Sequence, residues 1–413
     1  MSSFRHILPI LVAVLFTLPG VGAALAHVEL SPPLTALMAG SAILAASFLL
    51  LWACDAAQAD VSQSMALAAV ALIAVLPEYA VSMYFTWQAG RHPEGEHAHY
   101  ALANMTGANR LIIGLGWAVI AAIFWFRTRG AVAVGEDRRL EVRFLAAATL
   151  YAFVIPIKGS LAWYDGVVLI GMFVWYIIIA GGRPQTDPDA EGPGEYIAKL
   201  PKVQRRTVTV ALLLFSAAVI VTNAEHFCEG LVATGKLLHI NEFFLVQWLA
   251  PIASEAPEFV VATMFALRGR AGLALGSLIS SKLNQWTLLV GMIPGVYALS
   301  AKTLAHPIPM DSLQMDEILL TAAQSLLAVV MLLTLRLSIA QAGLLFVLFT
   351  GQLVAPPLVH QLAGGEVWGL HADQMHPLFS LFYLIAAVAL IADRPERLTG
   401  LWRRSRGSPD SPD

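Results

Sequence analysis

The stretch APEFVVATMFAL, Ala256 to Leu267, has a counterpart in LPEYAVSMYFTW, Leu76 to Trp87. Each places a Pro-Glu pair inside an otherwise apolar run. A carboxylate at bilayer depth costs several kcal/mol, so an ionisable residue there marks function by default. That the arrangement occurs twice points to an internal repeat.

The composition supports a membrane setting. The 413 residues are 58% hydrophobic and only 13% charged, with mean hydropathy +0.70, whereas soluble domains are about a quarter charged. Apolar runs near the roughly 20 residues needed to cross a bilayer fall at 32–54, 62–87, 100–126, 142–158, 162–180, 207–238, 243–267, 271–297, 315–335, 338–360 and 377–392. Backbone groups in lipid must be satisfied internally, so these spans are helical.

The polar, turn-rich segment 181–206 divides them into five and six. After five crossings the second half starts from the opposite face. Related halves in opposite orientation are inverted-topology repeats, with binding sites near the midplane where they meet. The expected fold is an all-α polytopic membrane protein of 10–11 transmembrane helices in two inverted five-helix repeats, 32–180 and 207–360. Residues 377–392 form an additional helix, followed by the tail 393–413.

Residues 1–26 stand apart. Arg5 precedes an apolar core that ends in Ala24-Leu25-Ala26, the pattern of a signal peptide; an extra transmembrane helix is the other reading. Cytoplasmic loops are rich in Lys and Arg. With the mature N-terminus outside, the inner loops and tail hold 18 basic residues and the outer loops four, Arg91, Lys158, Lys236 and Lys302. Arg5, Arg110 and Lys282 complete the 25. This puts the linker and the C-terminus in the cytoplasm, as in a bacterial inner membrane. The basic residues report topology, and nothing points to nucleic acid.

Two cysteines, Cys54 and Cys228, are too few for a disulfide framework. No HExxH, phosphate loop, GxSxG elbow or CxxC occurs, so a metalloprotease or a nucleotide-driven pump has no support.

Leu76-Pro77-Glu78 followed by Gly107-Ala108-Asn109, and Ala256-Pro257-Glu258 followed by Gly276-Ser277 and Ser280-Ser281-Lys282, resemble the two α-repeats of the sodium/calcium exchanger family within the calcium/cation antiporters. The resemblance places α-repeats at 62–126 and 243–297. It implies that their helices enclose the transported ions while the long first and sixth helices move to alternate access. It also exposes departures. Ala108 stands where that family has serine and Ile112 where it has a distal amide. Lys282 replaces an asparagine, and Gln285 an Asn or Asp.

The residues themselves make a cation site plausible. Pro77 and Pro257 lack the N–H that would bind the carbonyls of Ile73 and Ala253, and hard cations take oxygen ligands. Glu255 and Glu258, three apart, share a helical face. The cation ligands expected are Glu78 and Glu258 foremost, then Glu255, Ser254, Ser281, Gln285 and Asn109, with Lys282 and Arg110 setting the charge. Three acids and two bases leave about −1 if all are ionised. Glu225, His226 and Glu229 near the outer end of the sixth span form either a solvated vestibule or a proton relay. No cofactor is expected beyond the transported Ca²⁺, Na⁺ or H⁺, and the partners are the lipid bilayer and inorganic cations. The expected function is secondary cation antiport, with Ca²⁺ or Na⁺ exchanged against Na⁺ or H⁺. A divalent-cation channel, or a non-transporting sensor or assembly protein with a degenerate site, are the alternatives.

Overall fold

The computed structural model describes residues 2–60, 75–182, 192–362, 366–367, 370–371 and 374–393. The Ile73 carbonyl, the first half of the second span and the basic tail lie outside the described residues. The helices are α1 Ser2–Leu25, α2 Pro32–Ala57, α3 Leu76–Arg91, α4 His97–Thr128, α5 Arg139–Ala152 continued by Val154–Lys158, and α6 Trp163–Gly181. After the short α7, Pro193–Ala198, come α8 Lys202–Leu238, α9 Glu242–Leu267 and α10, built from Ala271–Asn284 and Val290–Ala301. The last are α11 Ser312–Met331, α12 Ile339–Leu362 and α13 Met375–Asp393.

Among the described residues nine helices are long and apolar enough to cross a membrane. Of the other four, α7 is short, and α3, α9 and α10 carry Glu78, Glu255, Glu258 and Lys282.

Local chemistry sets several boundaries. The Asn241 side chain accepts the Phe244 N–H at 3.2 Å and caps α9. Asp311 and Gln314 form a capping box that starts α11. The halves are tied at one end of the bundle by a two-residue antiparallel pairing, Val132–Ala133 with Arg336–Leu337.

The inverted relation shows most clearly in α4 and α10. Each is interrupted by a π-helical stretch, Ile112–Trp117 in α4 and Gln285–Leu289 in α10. The first begins three residues after Asn109 and the second at Gln285 itself. π-Helical turns are rare and concentrate at functional sites.

Lipid tails give no hydrophobic drive between helices, so close packing and polar contacts hold the bundle. A Cβ on Gly107 would lie 1.9 Å from the Gln247 carbonyl oxygen, so only glycine lets α4 meet α9 here. A Cβ on Gly230 would lie 2.8 Å from the Ala36 nitrogen, which brings α8 against α2 along the longest helix pair. A large apolar core spans α4, α5, α6, α10 and α11, while α2 and α8 meet in smaller clusters, one of them shared with α3, α4 and α9. Helix α1 is seated on α2 and α8, with Thr17 buried and Gly20 against Met38, Ala42 and Asn223.

Candidate cation site

Glu78 sits in the first turn of α3, where Pro77 follows the non-helical Val75. Proline is tolerated there because the first N–H groups have no intrahelical partner anyway. The carboxylate therefore meets the positive end of a helix in mid-bundle. On α9, Glu255 and Glu258 follow Pro251 and flank Pro257. Pro257 leaves the Ala253 carbonyl without its helical donor.

Tertiary packing joins the repeats at these residues. Glu78 is 1% exposed and lies beside Glu255 and Gln285, with Glu258 and Lys282 within electrostatic range. Gln285 Nε2 donates to Glu255 Oε1 at 2.5 Å. Sequence put Glu78 and Glu258 foremost, but the residues beside Glu78 are Glu255 and Gln285. Glu258 stands one turn along α9, near enough to Cys54 on α2 to act on it electrostatically.

Among the described residues, six oxygens here have no hydrogen-bond partner: both of Glu78, Oε2 of Glu255, Oε2 of Glu258, Oγ of Ser281 and Oε1 of Gln285. Buried polar atoms are nearly always partnered, so each unpaired one calls for an explanation. A hard divalent cation takes six to eight oxygens. Among the described residues no three His, Cys, Asp or Glu side chains form a ready metal cluster. The candidate donors are spread over α3, α9 and α10.

Other expected ligands are engaged elsewhere. Ser254 Oγ donates within its own helix, to the carbonyls of Ala250 at 3.2 Å and Pro251 at 3.3 Å. Asn109 Nδ2 donates to the Met105 carbonyl, and its Oδ1 accepts Lys282 Nζ at 2.7 Å. Asn109 thus acts on the site through Lys282. The ammonium also lies 4.3 Å from the Trp286 ring centroid, a cation–π position.

Arg110 is buried beside Asn109, as expected, but its guanidinium turns to α11 and pairs with Glu317, a partner the motifs do not contain, both 1% exposed. Arg110 Nε also donates to the Thr106 carbonyl at 3.3 Å, and the guanidinium lies 5.2 Å from the Trp248 ring centroid. Successive residues on a helix point about 100° apart, so Asn109 faces α10 while Arg110 faces α11. With Arg110 and Glu317 counted as an ion pair, Glu78, Glu255, Glu258 and Lys282 leave a formal charge of −2 if all are ionised. Glu317 escaped the sequence reading because it lies outside both α-repeats; the signal was an acid just inside the apolar run at 315–335. A Tyr79 hydroxyl bond to Asn284 Oδ1 at 2.7 Å, a second clasp between the repeats, was also missed.

The outer acids of α8 do not form one chain. Glu225 is exposed and His226 Nδ1 lies 3.2 Å from the Thr222 carbonyl. Glu229 instead accepts the Tyr84 hydroxyl at 2.7 Å and lies 3.8 Å from His97, linking α8 to α3 and α4.

The profile of the sodium/calcium exchanger protein family matches residues 31–182 and 208–356, the two halves on either side of the linker. The chain belongs to the sodium/calcium exchanger family. Membership makes it a membrane cation antiporter. A solved structure of an H⁺/Ca²⁺ exchanger, CAX, is 39% identical, covers 97% of both chains and superposes with a TM-score of 0.88. The sodium-calcium exchanger NCX_Mj, at 20% identity and a TM-score of 0.51, shares the fold over 84% of this exchanger and 99% of its own chain. A protein named as an antiporter, CaxA from Alkalimonas amylolytica, is 25% identical over 252 residues, 57% of this exchanger and 75% of CaxA.

Proposed function

We propose that this exchanger moves Ca²⁺ against H⁺ through a midplane site formed by Glu78, Glu255, Glu258, Ser281 and Gln285. The observation that carries the reading is the set of six unpartnered oxygens, three of them from the adjoining carboxylates of Glu78 and Glu255 in opposite repeats. Carboxylates gathered at bilayer depth are neutralised by a cation or by protons. Occupancy by one excludes the other, which is exchange.

The charge supports a divalent ion. Glu78, Glu255 and Glu258 with Lys282 give −2, which one Ca²⁺ or two protons would balance. Lys282, bound to Asn109 and stacked on Trp286, acts as a resident cation where a further Na⁺ would otherwise be needed. The relative with 39% identity is named for H⁺/Ca²⁺ exchange.

Alternating access would come from α2 and α8 moving against the rest. They pack on one another in clusters separate from the large core, and Cys54 of α2 adjoins the Glu258 side of the site. We place the protein in the bacterial inner membrane with its basic loops cytoplasmic, following the charge asymmetry of the loops.

The test uses purified protein in proteoliposomes, recording internal Ca²⁺ and pH together under imposed H⁺ or Na⁺ gradients. Ca²⁺ entry with proton exit, lost in Glu258→Gln and insensitive to a Na⁺ gradient, is the expected result. Ca²⁺ flux that ignores the proton gradient would overturn the coupling and favour a channel.

A further inference from the structure

Arg110 cannot shed its charge in a protein, and it immediately follows Asn109, the residue that holds Lys282. Its guanidinium is buried beside α11, and Glu317 is its carboxylate partner. Glu317 is itself held at several points. Its Oε2 also accepts from the Thr106 hydroxyl at 3.4 Å, and its Oε1 stands 3.3 Å from His376 Nε2 on α13. Gln324 on α11 donates to the Arg110 carbonyl at 3.4 Å, fixing α11 against the same turn of α4.

We infer that Glu317 is a positioning residue for cation exchange: it holds Arg110 as a neutral pair and keeps a second fixed positive charge from adding to that of Lys282. Glu317 belongs to neither α-repeat and touches none of the six unpartnered oxygens. Its action on the site is through charge, by way of Arg110. The bilayer interior screens charge poorly, so an unpaired guanidinium one residue from Asn109 acts on Lys282 and on the carboxylates beyond it. With Glu317 neutralised, the fixed charge of the site falls from −2 to −1. One proton then balances the empty site, and a divalent ion leaves it positive.

This inference rests on the cation-site reading above. The experiment measures Ca²⁺ affinity by calorimetry and protons released per Ca²⁺ by indicator dye, on full-length protein in nanodiscs titrated with calcium chloride. Wild type releases about two protons per Ca²⁺ by the charge balance above. Glu317→Gln is expected to bind at least about tenfold more weakly and to release about one. The double variant Arg110→Met with Glu317→Gln replaces a neutral pair with neutral residues and is expected to recover both values. A packing role would lower the active fraction and leave the proton ratio of the folded protein at its wild-type value, which would overturn the proposal. Should Glu317→Gln fail to fold, Arg110→Met decides: it leaves the Glu317 charge uncancelled, so a proton ratio above the wild-type value supports the proposal and an unmoved ratio overturns it. Glu258→Gln is the control for the site itself. Retained Ca²⁺ binding there would sink the site reading, whereas lost binding there with an unmoved ratio in Glu317→Gln would sink only this inference.

Discussion

Lys282 of the second repeat donates to Asn109 of the first at 2.7 Å, and the same ammonium reaches the Asn109 carbonyl at 3.3 Å. A cation buried at the crossing of two inverted repeats thus has its acceptors on the opposite repeat. Removing either partner leaves a buried polar group unmet.

Lys282→Met and Asn109→Ala are each expected to reduce Ca²⁺ uptake at least about tenfold. An orphaned buried donor or acceptor costs about 1–3 kcal/mol, enough to shift the geometry of the repeat crossing. Because the two residues act as one unit, the double variant should be little worse than the worse single variant. Initial uptake rates in proteoliposomes complete the cycle, and strictly additive losses would show that the residues act separately.

Glu78→Gln should abolish coupled flux without unfolding the protein. Both carboxylate oxygens lack partners, and a buried unpaired carboxylate destabilises a fold. The variant is therefore expected to melt at or above the wild-type temperature. Ca²⁺ should raise the melting temperature of wild type alone, since only a ligand that binds the folded state stabilises it. A variant still stabilised by Ca²⁺ would remove Glu78 from the site.

Gly107→Ala tests the packing that brings α4 to α9. The new Cβ would meet the Gln247 carbonyl at 1.9 Å, a backbone atom that cannot swing aside. Overpacking of this kind costs about 1–3 kcal/mol. Thermal unfolding in detergent should show the loss, and Ca²⁺ affinity should fall with it, because Asn109 sits two residues along the displaced helix. An unchanged melting temperature would show that the helices can part freely.

Just past the C-terminal end of α2, Asp60 accepts from Arg205 Nε at 2.7 Å and from Arg206 Nε at 3.0 Å on α8. The hydrogen bond from Arg205, with that from Arg206, holds the Asp60 carboxyl below the ordinary aspartate range. A depressed carboxyl pKa gives stability that is present above the unfolded value of about 3.9 and lost as pH falls through the lower folded value. The difference in melting temperature between wild type and Asp60→Asn should therefore be flat from pH 8 to about 5 and shrink below about 4. A difference that changed near neutrality would point to another group.

Most of the architecture is readable along the chain. Apolar runs of membrane length, the odd number of spans before the linker and the paired Pro-Glu motifs are local patterns, and bilayer physics converts them directly into an inverted helical repeat. The acids Glu78, Glu255 and Glu258 stand out for the same reason, as charge where lipid penalises it. The partners of those charges are not local. Glu317 lies 207 residues from Arg110 and Lys282 lies 173 from Asn109. Nothing in the spacing says which acid a buried base will face.

Helix rotation decided that question. One step of about 100° turns Asn109 to α10 and Arg110 to α11, so adjacent residues serve different partners. The formal count for the site with all groups ionised, −2 instead of the −1 obtained by summing every buried acid and base of the motifs, follows from that rotation. Local hydrophobic length dictates which segments enter the bilayer, because each must satisfy its own backbone there. Which charges cancel and which remain for the ion depends on helices brought together from distant parts of the chain, because in a low-dielectric interior charge is balanced by contact.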